Sequence, residues 1–463
     1  MSWMNSAPMM LLERYLDGTS MRQTLVSTNI ANVDTPGYSR QVPNLEETTP
    51  VQIGNNTFGT GVDLASVTSL RDSVLDLRVN QETQQQGQLN AFISTGQQIQ
   101  ALFNETNGTG LQAPLTAFFT SLSQLSTNPS DINTRQGVLT AAQNLANAFN
   151  QTSSSLSTLQ RNTDLSVTQS VNQINALTSQ IAAVNLQVSS VQGTGQNAGP
   201  FIDQRQQLIN QLSNLVDVSS IDAGNGSLTL TTSGGAPLVV NGQNFNLTTQ
   251  ADPTTGLQDV YSQGTNITTK ITSGQLAGQI QIRDQEIPAI QSSLDALASG
   301  LANSVNTQNQ AGVDLNGAAG GNIFVPPPAN GVGAAATLAL ATTDPTKIAA
   351  SAGPPPGSAG DNTNANALLA LQNQNIINGQ TPLNSYAGLV YKIGNDVSSA
   401  LSNQQAGGLV LQQLQNLQGG VSGVDINEES ANLVRYQNAY TAAAQVSAVV
   451  DSLLLTTLNM VTP

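Results

Sequence analysis

Narrow apolar stripes with helical spacing constrain this sequence more than any other feature. Between Thr134 and Val191 apolar residues recur in a 3-4 alternation, and the same alternation returns from Ile287 to Gln310. Two further helical runs are predicted, over Leu70–Phe103 and Leu383–Leu417. A stripe this narrow suits long helices that lie side by side. The pattern predicts a mainly α fold: an elongated rod of long helices in bundle or coiled-coil packing.

The hydrophobic period changes in the middle of the chain. Short segments between residues 217 and 283 alternate apolar and polar residues, and Asn241-Gly242 is a two-residue hairpin signal. We predict strands over Val218–Ile221, Ser227–Thr231, Pro237–Val240, Asn244–Leu247 and Gln279–Ile282. Residues 217–283 therefore read as a β domain inserted in the helical rod. Residues 311–362, rich in Ala, Gly and Pro, are predicted to form a loosely structured excursion.

Both ends of the chain carry helical patterns of their own. The apolar side of the first helix consists of Leu11, Leu12, Tyr15, Leu16, Met21 and Leu25. From Asp425 onward a 3-4 alternation runs almost to the last residue, through Leu433, Tyr436, Tyr440, Ala443, Ser447, Val450, Leu454, Thr457 and Val461. Each helix is a natural partner for the other. We predict that residues 1–33 and 424–463 pair.

The remaining boundaries follow from breaks in these patterns. Pro36 disfavours helix at the preceding residue and Gly37 tolerates a turn, so the first helix is predicted to end near Asn32 or Val33. Residues 34–68 are then an extended connector. The helical rod domain comprises residues 69–216 and 284–423.

Composition removes most catalytic chemistry. The 463 residues include no cysteine and no histidine, so neither a His-activated nucleophile nor an imidazole or thiolate metal site is available. The three lysines lie outside any Ser-x-x-Lys pattern. We predict no catalytic residues, no cofactor, no metal and no enzyme activity. A net charge of −15 without a basic run also disfavours nucleic-acid binding.

Local motifs support structural roles more than chemical ones. Phe58–Val62 has two glycines but no Lys-Ser/Thr after them, which favours a plain turn over a phosphate loop. Asp314–Gly317 resembles the start of a calcium loop but lacks the distal glutamate. Glu428 and Glu429 are predicted to open a helix and complement its dipole. Glu46-Glu47 is predicted to be solvated loop.

No membrane insertion and no cleaved signal peptide are expected. The most apolar segment, Ala439–Val461, is interrupted by Gln445, Asp451 and Asn459, which leaves it short of the roughly 20 apolar residues that a spanning helix needs. The N-terminus lacks the basic region of a secretory signal.

Two terminal motifs carry a family resemblance. The stretch STNIANVDTPGYSRQ, Ser27–Gln41, resembles the N-terminal signature of flagellar axial proteins, and its Ser-Arg-Gln ending resembles the FlgK family of hook-associated proteins in particular. Ser422–Tyr440 is similar to the ending of the same family, and Leu115–Leu122 and Asp203–Leu208 are similar to its helical domain. The signature residues are Asn29, Asn32, Pro36, Gly37, Tyr38, Arg40, Glu429, Asn432 and Tyr436.

The resemblance implies a non-enzymatic structural part of the bacterial flagellum. It implies a ring of identical copies at the hook–filament junction, in contact with the hook protein, a second junction protein and the filament. It further implies extracellular placement through the flagellar type III apparatus and an export chaperone at residues 424–463. The terminal segments would be flexible in the free subunit and pair as inner-tube helices in the polymer, and the inserted β domain, residues 217–283, would face outward.

An assembly interface is predicted on those two helices. Its residues are Leu11, Tyr15, Leu25, Leu433, Tyr440, Val450 and Leu454. Two alternatives stay open: an extracellular adhesin that uses the β domain, and a hook or rod subunit. Ser39-Arg40-Gln41 and the long helical middle disfavour the latter.

Overall fold

The computed structural model describes residues 6–53, 55–106, 108–224 and 226–461, and helices account for most of them. The helices are α1 Ser6–Ala31, α2 Ser73–Leu102, α3 Gln112–Thr127, α4 Ile132–Gly193, α5 Gly199–Leu215, α6 Gly274–Gln281, α7 Ile287–Gln310, α8 Ala334–Thr337, α9 Thr363–Ala370, α10 Pro382–Ser422 and α11 Ile426–Val461. The predicted mainly α fold of long helices is confirmed, and the predicted contact between the first and last helices is confirmed as well.

The longest helix shows why the stripes were reliable. α4 begins where the Asp131 carboxylate accepts hydrogen bonds from the backbone N–H groups of Asn133 and Thr134, at 3.2 and 3.1 Å. Such a cap satisfies N–H groups that the first turn cannot pair internally. Along the helix, Val167 and Ile174 are fully buried. Capping and one-sided burial together stabilise 62 residues of uninterrupted helix.

The strands form four small antiparallel sheets. They are β1 Gln41–Glu47, β2 Val51–Ile53, β3 Asn56–Phe58, β4 Val62–Ser69, β5 Ser219–Asp222, β6 Leu228–Thr231, β7 Pro237–Val240, β8 Gln243–Asn244, β9 Leu247–Ala251, β10 Gln258–Ser262 and β11 Thr265–Asn266. β1 pairs with β4 and β2 with β3, so the connector is a long hairpin. In the insert the orders are β5-β6-β7-β8 and β11-β10-β9. Asn241, at φ 54°, turns β7 into β8 as the hairpin signal predicted.

Three local predictions are wrong or shifted. Gln279–Ile282 is helical, not a strand: it lies across the end of α6 and a π-turn, Ile282–Glu286, that runs into α7. Alternation over four residues also fits a helix whose buried side includes Leu276 and Ile280. Asn244–Leu247 divides between β8 and β9. Glu46 and Glu47 are exposed as predicted but end strand β1, where pairing with β4 holds them.

The predicted loose excursion at residues 311–362 is largely wrong. Ile323, Phe324 and Ile348 are fully buried and belong to the same apolar cluster as α3, α4 and α7. The segment has little regular structure, so side chains satisfy its backbone: the Asn306 carboxamide oxygen accepts from the N–H groups of Ile323 and Phe324, each at 2.9 Å. The segment is rich in Ala, Gly and Pro and its buried residues follow neither a helical nor a strand period, so its ordered packing could not be predicted from the sequence pattern.

Two apolar clusters stabilise the middle of the chain. The first lies among α2, α3, α4, α7, α9, α10 and the 311–362 segment. The second joins the C-terminal half of α4 to α5, α6 and the strands of the insert, so the insert packs against the helices. We call residues 73–422 the body, and α1, β1–β4 and α11 the terminal unit. No described residue of the terminal unit belongs to either cluster.

Candidate assembly surface and its polar junction

The terminal helices pair in antiparallel fashion. Near one end Asn29 of α1 contacts Glu429 of α11, and seven residues earlier the Arg22 guanidinium lies over the Tyr436 ring, 5.7 Å from its centroid. Val26 on α1 and Ala443 on α11 are buried. Because residues seven apart share a helix face, Tyr436 and Val450 lie on the same side of α11 as Ala443. This side is the paired face of α11.

A second stripe of α11 has no partner within the described chain. Val446, Val449 and Leu453 are 51%, 57% and 63% exposed, and Met460 is 77% exposed. Their spacing of three, four and seven places them on one side of the helix, away from the face that includes Ala443. We call these four residues the open stripe. The open stripe was not predicted because the regular 3-4 alternation along the paired face hides a second apolar side, which a helical wheel of residues 442–460 separates from it.

The predicted interface residues divide between these environments. Leu25, Leu433, Val450 and Leu454 are half-buried, and Val450 and Leu454 lie on the paired face of α11. Tyr440, 40% exposed, lies at the edge of the paired face, and Leu11 and Tyr15 are 42% and 47% exposed on α1. Their role in assembly stays a prediction. Their positions show that some of the predicted set is engaged within the chain and some is available.

Leu11 and Tyr15 border an apolar cavity. It has a volume of about 290 Å³ and lies between α1 and the hairpin, lined by Leu11, Leu12, Arg14, Tyr15, Thr60, Gly61 and Val62. A Cβ added at Gly61, which has φ +90°, would lie 3.2 Å from the Leu11 side chain. The predicted plain turn at Phe58–Val62 is therefore also a surface against which α1 packs.

Asn29 organises the end of the terminal pair. Its side chain is 1% exposed, and its amide donates to the Gln41 carbonyl at 3.0 Å and to Glu429 Oε2 at 3.3 Å. Its carboxamide oxygen accepts from Tyr38 Oη at 2.8 Å and from the Gln41 N–H at 3.0 Å. A buried amide that makes four hydrogen bonds to three residues fixes those residues in direction as well as distance. Asn29 thus joins α1, the start of β1 and α11.

Arg40 makes the strongest contacts between the two ends of the chain. Its Nε donates to Glu429 Oε1 at 2.7 Å, and its terminal nitrogens donate to the Glu428 carboxylate at 2.6 and 3.2 Å. Glu429 is 1% exposed, and Arg40 gives its buried side chain a charged partner. The hydrogen bond to Glu428 is the largest influence that raises the pKa of Arg40. Besides opening α11 as predicted, Glu428 and Glu429 bind Arg40, which lies 388 and 389 positions away in the sequence.

A second polar layer faces the body. The Ser39 N–H donates to Asp203 Oδ2 at 3.0 Å, and Arg71 donates to Asp203 Oδ1 at 3.0 Å and to Asp76 at 3.3 Å. Burial raises the pKa of Asp203. Burial also raises the pKa of Tyr38, with help from the nearby Asp203 and Glu429 charges, from 10.0 to about 12. The sequence contains no local signal for Arg71 or Asp203 as junction residues.

The other signature residues shape this turn. The Asn32 amide donates to the Thr28 carbonyl at 2.9 Å as α1 ends, close to the predicted position. The Gln207 side chain donates to the Pro36 carbonyl, and Gly37 adopts φ +76° beside it, a conformation that favours glycine. Asn432 is half-buried on α11, and Tyr436 receives the Arg22 and Arg435 guanidinium groups on its ring.

Metal-binding clusters and membrane-spanning helices are two further kinds of functional feature. Among the described residues no group of three or more acidic side chains lies close enough to hold a metal ion. One window within Pro382–Thr457, which spans α10 and α11, is long and apolar enough to cross a membrane, with a mean hydropathy of 1.2. Interior helices of soluble proteins can be as long and as apolar, but they are mostly buried, whereas only 6% of this window is buried. The absence of membrane insertion stays a prediction, and this apolar surface is uncovered within the chain.

Comparison with known proteins agrees with this geometry. Residues 96–324 match the family model of the flagellar hook-associated protein FlgK helical domain. The chain is 30% identical over 494 aligned residues to flagellar hook-associated protein 1 of Bacillus subtilis (strain 168), with 97% of each chain covered. It is 27% identical to the protein of the same name from Escherichia coli (strain K12), with 96% of this chain and 99% of that one covered.

A solved structure supports the fold. The flagellar hook junction protein FlgK from Burkholderia pseudomallei superposes with a TM-score of 0.66 at 20% identity, covering 74% of this chain and all of the other. At that identity the likeness is one of architecture. It extends the agreement from sequence to the overall fold.

Proposed function

The chain belongs to the FlgK family of flagellar hook-associated proteins, and from this premise we propose that it forms the hook–filament junction on which the filament assembles. Its relatives are structural flagellar proteins, which accords with a non-enzymatic role. Family membership makes the chain a structural protein of the flagellum. The proposal adds its position, a ring of identical copies between the hook and the filament.

The open stripe is the observation that carries this proposal. Val446, Val449, Leu453 and Met460 expose apolar side chains along one side of a helix that belongs to neither apolar cluster. Contiguous exposed apolar surface marks a site of protein contact. After Arg435 the chain has a single charged residue, Asp451, so copies can approach along α11 with little like-charge repulsion.

The partners follow from this position. Neighbouring copies would cover the open stripe within the ring, and the predicted interface residues Leu11, Tyr15 and Tyr440 are exposed as well. The hook protein, a second junction protein and the filament would contact the ring at its ends. Before assembly, an export chaperone at residues 424–463 would cover the same apolar side chains. Export through the flagellar type III apparatus, without a cleaved signal, would place the protein outside the cell.

Aspartate substitutions on the open stripe test the proposal. In a strain that lacks the gene we expect hooks without filaments and flagellin shed into the medium. The triple variant Val446→Asp, Val449→Asp and Leu453→Asp should fold, since these side chains are exposed, yet reproduce the deletion phenotype. Filaments counted by electron microscopy and flagellin measured in the medium are the readouts.

A matched control uses apolar residues on the body that are at least as exposed as those of the open stripe. Leu165, Val332 and Tyr391 are 62%, 69% and 74% exposed, and replacing all three with Asp should leave filaments intact. The predicted set Leu433, Tyr440 and Leu454 forms a second arm: because Leu433 and Leu454 are half-buried, their replacement should loosen α11 from α1 as well as stop assembly. Normal filament numbers with the open-stripe variant would refute the proposed surface.

A further inference from the structure

A groove in the body is lined by polar side chains from several helices. It has a volume of about 420 Å³ and lies between one face of α2, within residues 87–98, and one face of α4, within residues 159–166. Asn214 at the end of α5 and Gln275 and Gln279 on α6 complete the lining. Small-molecule sites have volumes of about 300–1,000 Å³, so the groove is large enough for a ligand.

The groove has amide and hydroxyl groups but no charge. None of its described lining residues is ionisable. Asp164, which follows the lining residue Thr163, does not line the groove and instead pairs with Arg283 at 2.6 Å. An ionic ligand would lose hydration in the groove without gaining an opposite charge. The lining therefore favours a neutral ligand that forms hydrogen bonds.

Gln279 supplies a buried hydrogen-bond donor. Its side chain is 6% exposed, and its Oε1 accepts from Ser170 Oγ at 2.9 Å. Its Nε2 has no acceptor within the described residues. Buried polar groups nearly always have a partner. An amide that is held at one end and lines a groove at the other indicates a ligand oxygen as its acceptor, which water replaces when the ligand is absent.

Four more lining side chains make no hydrogen bond within the described chain. They are Thr95, Asn162, Asn214 and Gln275, on α2, α4, α5 and α6. Amide and hydroxyl side chains both donate and accept, as the hydroxyl groups of a saccharide do. Such an array suits a ligand with several hydroxyl groups.

A small apolar surface lies in the same groove. Ala91 on α2 and Leu159 on α4 are among its lining residues, and Leu159 is 8% exposed. The groove thus combines a buried amide donor with apolar side chains. An acetamido group has the complementary parts, a carbonyl oxygen that accepts a hydrogen bond and a methyl group that gains from apolar contact.

Close backbone contacts fix the end of the groove near Gln279. A Cβ added at Gly87 would lie 2.1 Å from the Asn214 carbonyl oxygen, and one at Gly278 would lie 2.3 Å from the Gln88 carbonyl oxygen. These two glycines therefore allow α2 to lie directly against α5 and α6. A site whose walls are fixed before binding loses less conformational freedom when a ligand enters.

We propose that this groove binds a neutral saccharide that carries N-acetyl groups. The acetamido oxygen accepts from Gln279 Nε2, the acetyl methyl group contacts Ala91 and Leu159, and the sugar hydroxyls pair with side chains such as Thr95 and Asn162. The groove belongs to the body, so the proposal goes beyond the hook–filament position and does not depend on α11.

Saturation-transfer difference NMR on the full chain tests the proposal. The probe is triacetylchitotriose, a neutral trisaccharide with an acetamido group on each sugar, and cellotriose, which has the same linkage without acetamido groups, is the matched control ligand. With the probe at about 1 mM we expect strong transfer to its acetyl methyl protons, and much weaker transfer to cellotriose. No transfer to the probe, or equal transfer to both sugars, would overturn the proposal.

Variants connect binding to the groove. Gln279→Met removes the amide at nearly constant length and should weaken binding about tenfold. Gln169→Met, at an exposed position of α4 outside the groove, should leave binding unchanged. If Gln279→Met does not fold, as judged by circular dichroism, the double variant Thr95→Val and Asn162→Leu breaks no hydrogen bond between described side chains, and the same weakening is expected.

Two further results would contradict the assignment. Unchanged binding in either folded groove variant would place the saccharide elsewhere. Transfer to N-acetyl-trialanine amide with none to triacetylchitotriose would identify a groove for extended peptide, and the saccharide proposal would be wrong.

Discussion

The body and the terminal unit use apolar residues in opposite ways. In the body, Leu115, Phe118 and Phe149 are fully buried, and Phe118 packs edge-on to Phe119 with ring centroids 5.5 Å apart. In the terminal unit, Leu453 and Met460 are more than half exposed. Apolar burial is the dominant stabilising contribution in folding. The body therefore has what it needs for stability within one chain, while much of the apolar surface of α11 remains to be covered by another molecule.

Polar contacts differ between the two regions in a complementary way. In the body, buried amides such as Asn306 satisfy irregular backbone inside an apolar cluster. In the terminal unit, the Asn29 and Arg40 side chains connect the end of α1, the start of β1 and the start of α11, a polar junction that we call the joint. The same chemistry thus completes packing in one region and sets direction in the other. Stability and orientation are assigned to different residues, so each can be tested separately.

The largest difference should appear on truncation of core residues. Phe149→Ala removes a fully buried ring from the first apolar cluster, and we expect the free energy of unfolding of the body to fall by about 3–5 kcal/mol. Leu453→Ala, on the open stripe, should change it by no more than about 0.5 kcal/mol. Urea denaturation followed by circular dichroism measures both. An equal loss of unfolding free energy in the two variants would mean that the open stripe contributes as much to the stability of the single chain as the core of the body does.

A pair of asparagines gives a finer test. Asn29→Ala leaves the Gln41 N–H and Tyr38 hydroxyl without their buried acceptor, and we expect a local cost of about 1–3 kcal/mol. Because no apolar cluster reaches the joint, that cost should appear as faster amide hydrogen exchange in α1 and α11 alone. Asn306→Ala makes the matched change in the body and should lower protection across α7 and the 311–362 segment.

Hydrogen exchange followed by mass spectrometry separates the two asparagine variants. Faster exchange throughout the body in Asn29→Ala would mean that the terminal unit and the body unfold as one cooperative unit. Unchanged exchange in α1 and α11 would mean that the Asn29 contacts contribute nothing to the pairing.

The sequence predicted what is periodic and missed what is not. α7 has the predicted bounds, and α4, α10 and α11 differ from theirs by a few residues, because an apolar stripe many turns long has no other common explanation. Gln279–Ile282 failed since four residues cannot distinguish period two from a helix. The burial of Phe324 and Ile348 was not predicted, because both lie in irregular backbone, where buried residues follow no regular spacing in the sequence.

The junction shows a different limit. Asn29, Tyr38, Arg40 and Glu429 were identified as signature residues, yet their mutual contacts could not be read from spacing, because Arg40 and Glu429 lie 389 positions apart. Asp203 begins the family-like stretch Asp203–Leu208, and Arg71 lies just before α2, but nothing in the sequence indicated that these two side chains would meet at the joint. One signal was available: in a chain with 13 basic residues, an arginine and two glutamates inside the two terminal motifs are candidates for pairing.

The smallest expected effect concerns pH and Tyr38. Its pKa is raised from 10.0 to about 12 in the folded joint, so below pH 10 the tyrosine is protonated whether the joint is closed or open and its contribution is fully present. Between pH 10 and about 12 an opened joint ionises Tyr38 first, so closure becomes less favourable as pH rises. Ionisation also removes the proton that Tyr38 donates to Asn29. Tyr38→Phe should therefore flatten the pH dependence of amide exchange in α11 in this window. The tyrosinate absorbance of the wild type minus that of Tyr38→Phe gives the titration of Tyr38 alone, and its midpoint should lie near pH 12. Tyr391→Phe, on the body, controls for the loss of one tyrosine hydroxyl. A Tyr38 midpoint near pH 10 would mean that its hydroxyl is solvated and that the joint is open in solution.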